Sequence, residues 1–209
     1  MKLARFLMVS AFALSVPAVF AAGCGGSDDG DPPMAASDGS VSDRARLDAP
    51  YHPDASCPVT IESPELLSVK HVPEGSTITW NSNPPSSGDH FPVWAAFQEY
   101  TSPVPRGYLV HDLEHGAVLL LYKCDPACPA IVDELRKIRD ALPSDPLCAP
   151  DVRVRVILAP DPDLDVPVAA AAWGWTYKAQ CVDVPTLTQF ARDHYAQGPE
   201  NVCSQGRAF

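Results

Sequence analysis

The N-terminal residues form a short basic and apolar pattern that predicts a signal peptide. Lys2 and Arg5 precede an apolar run from Leu7 to Phe20, and the small residues Ala21, Ala22 and Gly23 follow it. The run is shorter than the roughly 20 apolar residues that cross a bilayer. A basic start, a short apolar run and small residues at its end are typical of secretory signals. Residues 1–23 are therefore predicted to be removed from the mature protein.

A polar stretch follows and separates the signal from the rest of the chain. Residues 24–50 contain six aspartates, two arginines and few large apolar side chains. Such a composition cannot bury enough surface to fold by itself. We therefore expect residues 24–50 to be a flexible tether and residues 51–209 to form a single globular domain.

The first half of this domain is predicted to contain strands separated by a long loop. Glu65–Val72 and Ser76–Trp80 have the pattern of two short strands. Residues 81–107 contain seven prolines and glycines, which indicates loop, with a short helix or strand only at Trp94–Tyr100. Ala117–Tyr122 is a continuous apolar run, which favours a strand that is buried on both faces.

The second half has the clearest helix. Pro129 has the position of a first-turn proline, and apolar residues then recur at helical spacing until Pro143: Ile131, Leu135, Ile138 and Leu142. Val152–Leu158 alternates like a half-buried strand, Pro167–Tyr177 is predicted to be extended, and Pro185–Gln197 is predicted to be a second helix.

The order of these elements predicts the fold class. Strand, helix and strand follow one another from Ala117 to Leu158, which is the pattern of a βαβ unit. The domain is therefore predicted to be α/β (or α+β), with a small sheet that contains one βαβ unit and long proline-rich loops on its N-terminal side.

Charge excludes one class of partner. The chain has a formal net charge of −11, and residues 51–209 contain 20 acidic against 11 basic residues. A protein that binds a nucleic-acid backbone needs a basic face. No nucleic-acid partner is therefore expected.

Cys24 directly follows the small residues of the signal. This arrangement resembles the lipobox of bacterial lipoproteins, in which the cysteine is diacylated and becomes the mature N-terminus. A plain signal peptide with an unmodified cysteine is the alternative, but a free exposed thiol is a liability in an oxidising compartment. The residue after Cys24 is Gly25 rather than aspartate, which resembles an outer-membrane protein more than one retained in the inner membrane. The expected location is the cell envelope, on the periplasmic or surface face of the outer membrane.

The remaining cysteines form an even set of disulfide candidates. They are Cys57, Cys124, Cys128, Cys148, Cys181 and Cys203. Six cysteines allow fifteen pairings, and the sequence does not choose among them. In an oxidising compartment structural disulfides are favoured. The alternative is a functional CxxxC pair at Cys124 and Cys128, because a strand, this motif and a helix resemble the copper-chaperone branch of the thioredoxin superfamily.

Three histidines are the best candidates for chemistry. His111 and His115 are four residues apart with Glu114 between them, and His90 lies in the proline-rich loop. Whether the segment is helical or extended, His111 and His115 share a side of the chain. With His90 they predict a three-histidine site for zinc or copper that leaves a coordination position open. Glu114 is expected to orient the ligands or to act as a general base if the metal activates water.

Two other interpretations of these histidines are open at this point. The segment from His111 to His115 also fits the HxxEH pattern of inverted zinc peptidases, but the match covers only five residues. Alternatively, the rings bind loop backbone or pack against aromatic residues such as Trp94 and Tyr108, with no metal involved.

Four phrases in this order resemble one bacterial family. They are Asn83–His90, His111–Val118, Ala172–Gly174 and Gly198–Glu200. The chain is similar over about residues 75–200 to domain-of-unknown-function (DUF) family 3105, whose members look like secreted or membrane-anchored proteins. The resemblance implies no activity, since that family has no assigned function.

The resemblance does affect the interpretation of the histidines. It places His90, Glu114 and His115 at signature positions of the family, which favours a shared site over accidental packing. Three positions depart from the usual phrases: Ser86, Asp89 and Asp112.

Three hypotheses for function follow. The first is a lipid-anchored envelope protein that binds a transition metal through the histidines. The second is a metal-dependent envelope enzyme, and the third is a non-catalytic interaction or structural module. The membrane is the expected partner through the N-terminal lipid, and the sequence names no protein or small-molecule partner.

Overall fold

The structure is a computed structural model that describes residues 51–125, 127–148 and 150–209. The predicted signal peptide, the predicted lipidation site Cys24 and the predicted tether lie outside the described residues. Within the described part, no helix is both long and apolar enough to cross a membrane.

Five strands and three helices occur among the described residues. In chain order they are β1 (Val59–Glu62), α1 (Arg106–Glu114), β2 (Val118–Tyr122), α2 (Pro129–Ala141), β3 (Val156–Pro160), β4 (Val168–Ala172), β5 (Trp175–Ala179) and α3 (Val184–His194). The strands form one sheet in the order β1-β5-β4-β2-β3. All neighbours are antiparallel except β2 and β3, which are parallel. The mixed α/β class predicted from the sequence is confirmed.

The predicted βαβ unit is present as β2, α2 and β3. The apolar run of β2 lies between β3 and β4 and is almost entirely buried. Pro129 occupies the first turn of α2, and Leu135 and Ile138 of that helix are fully buried. Because side chains alternate along β2, Leu119 and Leu121 face one core and Val118 and Leu120 the other.

Each face of the sheet has its own core, and the helices pack on both faces. One core contains the apolar residues of α1 together with the N-terminal loops. The other contains the inward residues of α2 and α3. The helix α1 is therefore covered on one side by the sheet and on the other by loops, and nearly all its residues are buried.

Several predicted elements differ from the structure. Glu65–Val72 and Ser76–Trp80 are not strands, apart from one isolated bridge between His71 and His90. Their apolar residues pack against the α1 core without a neighbouring strand, so tertiary packing replaces sheet pairing. Trp94–Tyr100 is neither helix nor strand and makes only isolated bridges.

The boundaries of several other predicted elements also differ from those in the structure. Pro167–Tyr177 is not one extended segment but covers β4 and the start of β5, which ends at Ala179, and β3 begins only at Val156. The helix α3 is present, and its N-cap Asp183 accepts a hydrogen bond from the Thr186 amide at 3.1 Å. No strand was predicted at β1, which pairs with β5 at the sheet edge.

The six cysteines of the domain form three disulfides: Cys57–Cys181, Cys124–Cys128 and Cys148–Cys203. The prediction of a disulfide set is confirmed, and such a set fits an extracytoplasmic location. The first and third close loops of 124 and 55 residues, which by loop-closure entropy stabilise the fold by about 4 to 5 kcal/mol each.

Candidate metal centre

The candidate centre is built where α1 meets the proline-rich loop. His111 and Glu114 lie three residues apart on α1 and so project from the same face of the helix. His90 comes from the loop, and His71 lies beside it through a parallel bridge. In that bridge the Val72 amide donates to the His90 carbonyl at 2.8 Å, and the His90 amide donates to the Lys70 carbonyl at 3.1 Å.

Four side chains converge at this point. One potential ligand atom from each of His71, His90, His111 and Glu114 lies within 4.8 Å of the others. The Glu114 Oε2 atom is 3.0 Å from His90 Nε2 and 4.0 Å from His71 Nε2. The three imidazole centroids are 4.7 to 4.9 Å apart. This spacing suits side chains that share one small ion.

Backbone carbonyls fix the tautomers of the two buried rings. His90 Nδ1 lies 2.9 Å from the Gly88 carbonyl, and His111 Nδ1 lies 2.7 Å from the Phe91 carbonyl. A carbonyl only accepts, so each Nδ1 donates its proton. In the neutral rings each Nε2 then carries the lone pair. In known metal sites, a hydrogen bond from the ring nitrogen that does not bind the metal orients each imidazole in the same way.

His90 Nε2 gives a more specific indication of a ligand. It is buried and has no aligned hydrogen-bond partner among the described residues, although the Glu114 carboxylate is 3.0 Å away. When His90 is protonated, its ring pairs with this carboxylate, which raises the pKa of His90; when His90 is neutral, the Nε2 lone pair and the carboxylate are two adjacent acceptors. A cation between them would satisfy both.

The electrostatics of the cluster favour a cation. Burial, together with the neighbouring His115 and His90, lowers the pKa of His111 to about 4, so this ring is neutral at pH 7. Burial alone would raise the pKa of Glu114, but His90, His111 and His71 lower it, so the carboxylate is charged. Burial opposes protonation of His90, but the Glu114 carboxylate and the Gly88 carbonyl raise its pKa.

The observed cluster differs from the predicted ligand set at two positions. His115, which was predicted to be a ligand, is the C-cap of α1 and is not one of the four convergent side chains. Its Nε2 lies 3.3 Å from a Glu200 carboxylate oxygen, and its ring packs on Trp94 at 4.6 Å. Burial lowers the pKa of His115. The His111 and His115 rings are 4.6 Å apart, but His115 is not in the group whose ligand atoms all lie within 4.8 Å of one another. The peptidase interpretation, which needs His111 and His115 to share one ion, therefore gains no support from the cluster.

The second difference is His71, which was not among the predicted ligands. Its side chain is 53% exposed, whereas His90 and His111 are buried. The only signal in the sequence was that His71 is one of four histidines between residues 71 and 115. Its approach to Glu114 depends on a bridge between two irregular segments, which spacing along the chain does not reveal.

Glu114 was predicted as an orienting group or general base. The structure places its carboxylate among the convergent atoms, within reach of two imidazoles. Whether it binds an ion directly or orients the ligands, Glu114 is the acidic group of the cluster.

The loop that carries His90 is held by other family-like phrases. The Gly174 amide donates to the Ser86 carbonyl at 2.8 Å, and the Leu67 amide donates to Ser87 Oγ at 3.1 Å. Gly88 has a φ of 110°, a conformation that side chains rarely adopt, and a Cβ there would lie 3.0 Å from Leu67. These constraints place the Gly88 carbonyl where His90 Nδ1 donates.

The C-terminal segment supports the other side of the centre. A Cβ on Gly198 would overlap the carbonyl of Glu114 and the amide of Gly116, so only glycine allows this approach. The Glu200 amide then donates to the Glu114 carbonyl at 3.0 Å. The phrase from Gly198 to Glu200 therefore fixes the end of α1 that carries Glu114.

A second cluster of potential ligands exists at Asp145, Cys148 and Cys203. Cys148 and Cys203 form a disulfide, so neither offers a thiolate, and Asp145 pairs with Arg155 at 2.8 Å. Glu114 and the histidines remain the better metal site.

Comparison with known proteins identifies a family for the chain. The family model described as "Protein of unknown function (DUF3105)" matches residues 71–206, a range that includes all four convergent side chains. No curated protein and no solved structure matches the chain. Since the match covers well over half of the 209 residues, the chain belongs to the DUF3105 family of proteins of unknown function.

Proposed function

We propose that this protein binds one transition-metal ion in the cell envelope. The ligands are the Nε2 atoms of His71, His90 and His111 and a carboxylate oxygen of Glu114. The observation that carries the proposal is the convergence of these atoms, with two rings already oriented by Gly88 and Phe91 carbonyls. Orientation in advance reduces the cost of ordering the ligands on binding.

The donor set favours zinc or copper. Imidazole nitrogen suits both metals, whereas calcium and magnesium prefer sites made only of oxygen. Three nitrogens and one carboxylate oxygen match the four ligands of a tetrahedral zinc site. An ionised carboxylate and a neutral imidazole are the states in which Glu114 and His111 can bind a divalent ion, because metal ligands must be deprotonated.

Anchoring is part of the same proposal. Disulfides indicate a compartment outside the cytoplasm. Acylation of Cys24 would attach the domain to the outer membrane, and residues 24–50 would act as its tether.

A metal-dependent enzyme is the second candidate, and one observation favours it. The exposed His71 side chain lies at the rim of an otherwise buried cluster, so the ion would be reached from solvent on that side. Exchange of a ligand there for water or substrate would give the open position that catalytic metal sites need. The Glu114 carboxylate lies close enough to hold or move a proton at that position.

The test compares two exposed histidines. The full chain is purified without a nickel column, stripped with a chelator and titrated calorimetrically with zinc and with copper. We expect one equivalent of metal to bind and to raise the unfolding midpoint, since an ion that binds only the folded state adds about 2.7 kcal/mol at 100 times its Kd. His71→Ala should weaken binding at least about tenfold. His52→Ala is the matched control, because His52 is exposed and outside the cluster.

The outcomes separate the hypotheses. Equal affinities in His71→Ala, His52→Ala and the unaltered chain would contradict the proposed ligand set. Failure of both metals to bind stoichiometrically would leave the interaction module as the surviving hypothesis. Hydrolytic activity that depends on the bound metal and is lost in Glu114→Gln would favour the enzyme.

A further inference from the structure

The disulfide between Cys124 and Cys128 lies outside the proposed metal centre. The two cysteines connect the end of β2 to the start of α2, with Cα atoms 5.6 Å apart. Cys128 is the N-cap of the 13-residue α2, and its carbonyl accepts from the Ile131 amide at 3.1 Å. Cys128 is therefore at the positive end of a helix that begins at Pro129, and within the disulfide its side chain makes no cap hydrogen bond.

Two properties distinguish this disulfide from the other two. It spans a separation of only 4 residues, against 55 and 124, so it removes the least conformational freedom from the unfolded chain. Both of its cysteines are partly exposed, whereas each of the other disulfides includes one buried cysteine, Cys57 or Cys203. The fold therefore gains little from this disulfide, and solvent reaches both ends.

A groove opens directly onto these cysteines. It has a volume of about 460 Å³ and is lined by Cys124 and Cys128 together with Tyr122, Val132 and Arg136. The groove gives an external thiol room to approach a sulfur atom. Arg136 and Asp133 both line the groove, and Arg136 pairs with Asp133 and with Glu99.

We propose that the Cys124–Cys128 disulfide is a redox site that exchanges with a dithiol of another envelope protein. A donor thiolate attacks Cys124 Sγ, a new S–S bond forms between them, and the Cys124–Cys128 bond breaks. Its electron pair stays on Cys128 Sγ, where the amides of the first turn of α2 stabilise the thiolate. The second donor thiolate then displaces Cys124, which takes a proton. The donor ends as a disulfide, and this chain gains two electrons as a dithiol.

This redox site and the metal centre are independent. The helix α1 ends just before β2 and the cysteines follow it, so the five-residue strand of roughly 17 Å separates them. Cysteine variants therefore leave the four proposed metal ligands in place. A failure of one proposal does not decide the other.

The first experiment uses the other disulfides as internal controls. The full chain is equilibrated in native buffers with increasing ratios of reduced to oxidised glutathione, free thiols are blocked, and each cysteine is quantified by peptide mapping. We expect Cys124 and Cys128 to become reduced together in buffers that leave the two long-loop disulfides oxidised, with the domain still folded by circular dichroism.

The second experiment measures the two thiols separately. Cys124→Ser leaves Cys128 as a single thiol, and Cys128→Ser leaves Cys124. Alkylation by iodoacetamide should show Cys128 titrating at least one pH unit below the ordinary value of about 8.5, and reacting at pH 7 about tenfold faster than Cys124. The proposal is overturned if the pair stays oxidised until the domain unfolds, or if Cys128 titrates at or above that ordinary value.

Discussion

Replacing His194 with asparagine should make the stability of the domain less sensitive to acid. The imidazole is buried near the end of α3, stacked on Trp175 at 4.5 Å and close to Phe190 at 4.6 Å. Its Nε2 lies 3.2 Å from the Tyr51 hydroxyl, and its Nδ1 has no partner among the described residues. Burial lowers the pKa of His194 to about 4, because the charged ring would lose its hydration.

The direction and size of the effect follow from this lowered pKa. The unfolded chain protonates His194 near pH 6.5, whereas the folded domain does so only near pH 4. The unfolded state therefore binds more protons in this window, and the free energy of unfolding falls as the pH falls from 6.5 to 4. A tenfold difference in proton affinity between the two states corresponds to about 1.4 kcal/mol, so the loss from this one group is about 2 kcal/mol at pH 5 and about 3 kcal/mol at pH 4.

The assay is urea unfolding of the metal-free protein at pH 7 and pH 5. His111 titrates in the same window, so only the difference between the variant and the unaltered domain isolates His194. His194→Asn should lose some stability at pH 7 through poorer packing, but should lose about 2 kcal/mol less than the unaltered domain on going to pH 5. His52→Asn, at an exposed position, is the control. An unchanged pH difference in His194→Asn would refute the reasoning.

Three further predictions concern anchoring, support of the centre and the interior. Cys24→Ala should move the protein from the membrane fraction to the soluble fraction; a variant that remains acylated and membrane-bound would contradict the lipobox interpretation. Gly198→Ala should lower the unfolding free energy by about 2 kcal/mol and weaken metal binding, because its Cβ overlaps backbone next to Glu114; full stability and affinity would contradict this. Asp145→Asn should cost about 3 kcal/mol in chemical denaturation, because it leaves the buried Arg155 guanidinium without its charged partner; a loss below about 1 kcal/mol would count against it.

The sequence by itself determined the central βαβ unit. A helix that begins with Pro129 and repeats apolar residues at helical spacing has one stable way to bury that face. The apolar run of β2 likewise requires cover on both sides. These are local patterns whose consequences do not depend on the rest of the chain. The even cysteine count similarly predicted disulfides, although it gave no pairing.

The N-terminal part of the domain shows where local patterns were insufficient. Glu65–Val72 has the composition of a strand, but it pairs with neither edge strand of the sheet, β1 or β3, and its one bridge joins His71 to His90 in the loop. Strand propensity describes how well residues fit a pleated, half-buried surface, and the same residues also fit an irregular segment packed on α1. Only the tertiary structure decided between them.

The candidate centre was likewise predictable from the sequence only in part. His90, His111 and Glu114 could be selected from the sequence because they lie in family-like phrases, and two of them share a face of one helical turn. The sequence could not show that the cluster includes His71 rather than His115. His71 reaches Glu114 through a bridge between irregular segments, while His115 lies beyond the last helical residue and its ring lies beside Glu200. Spacing along the chain fixes directions only within a helix or strand. Ligands from separate loops converge only through the packing that holds those loops, which is a property of the whole fold.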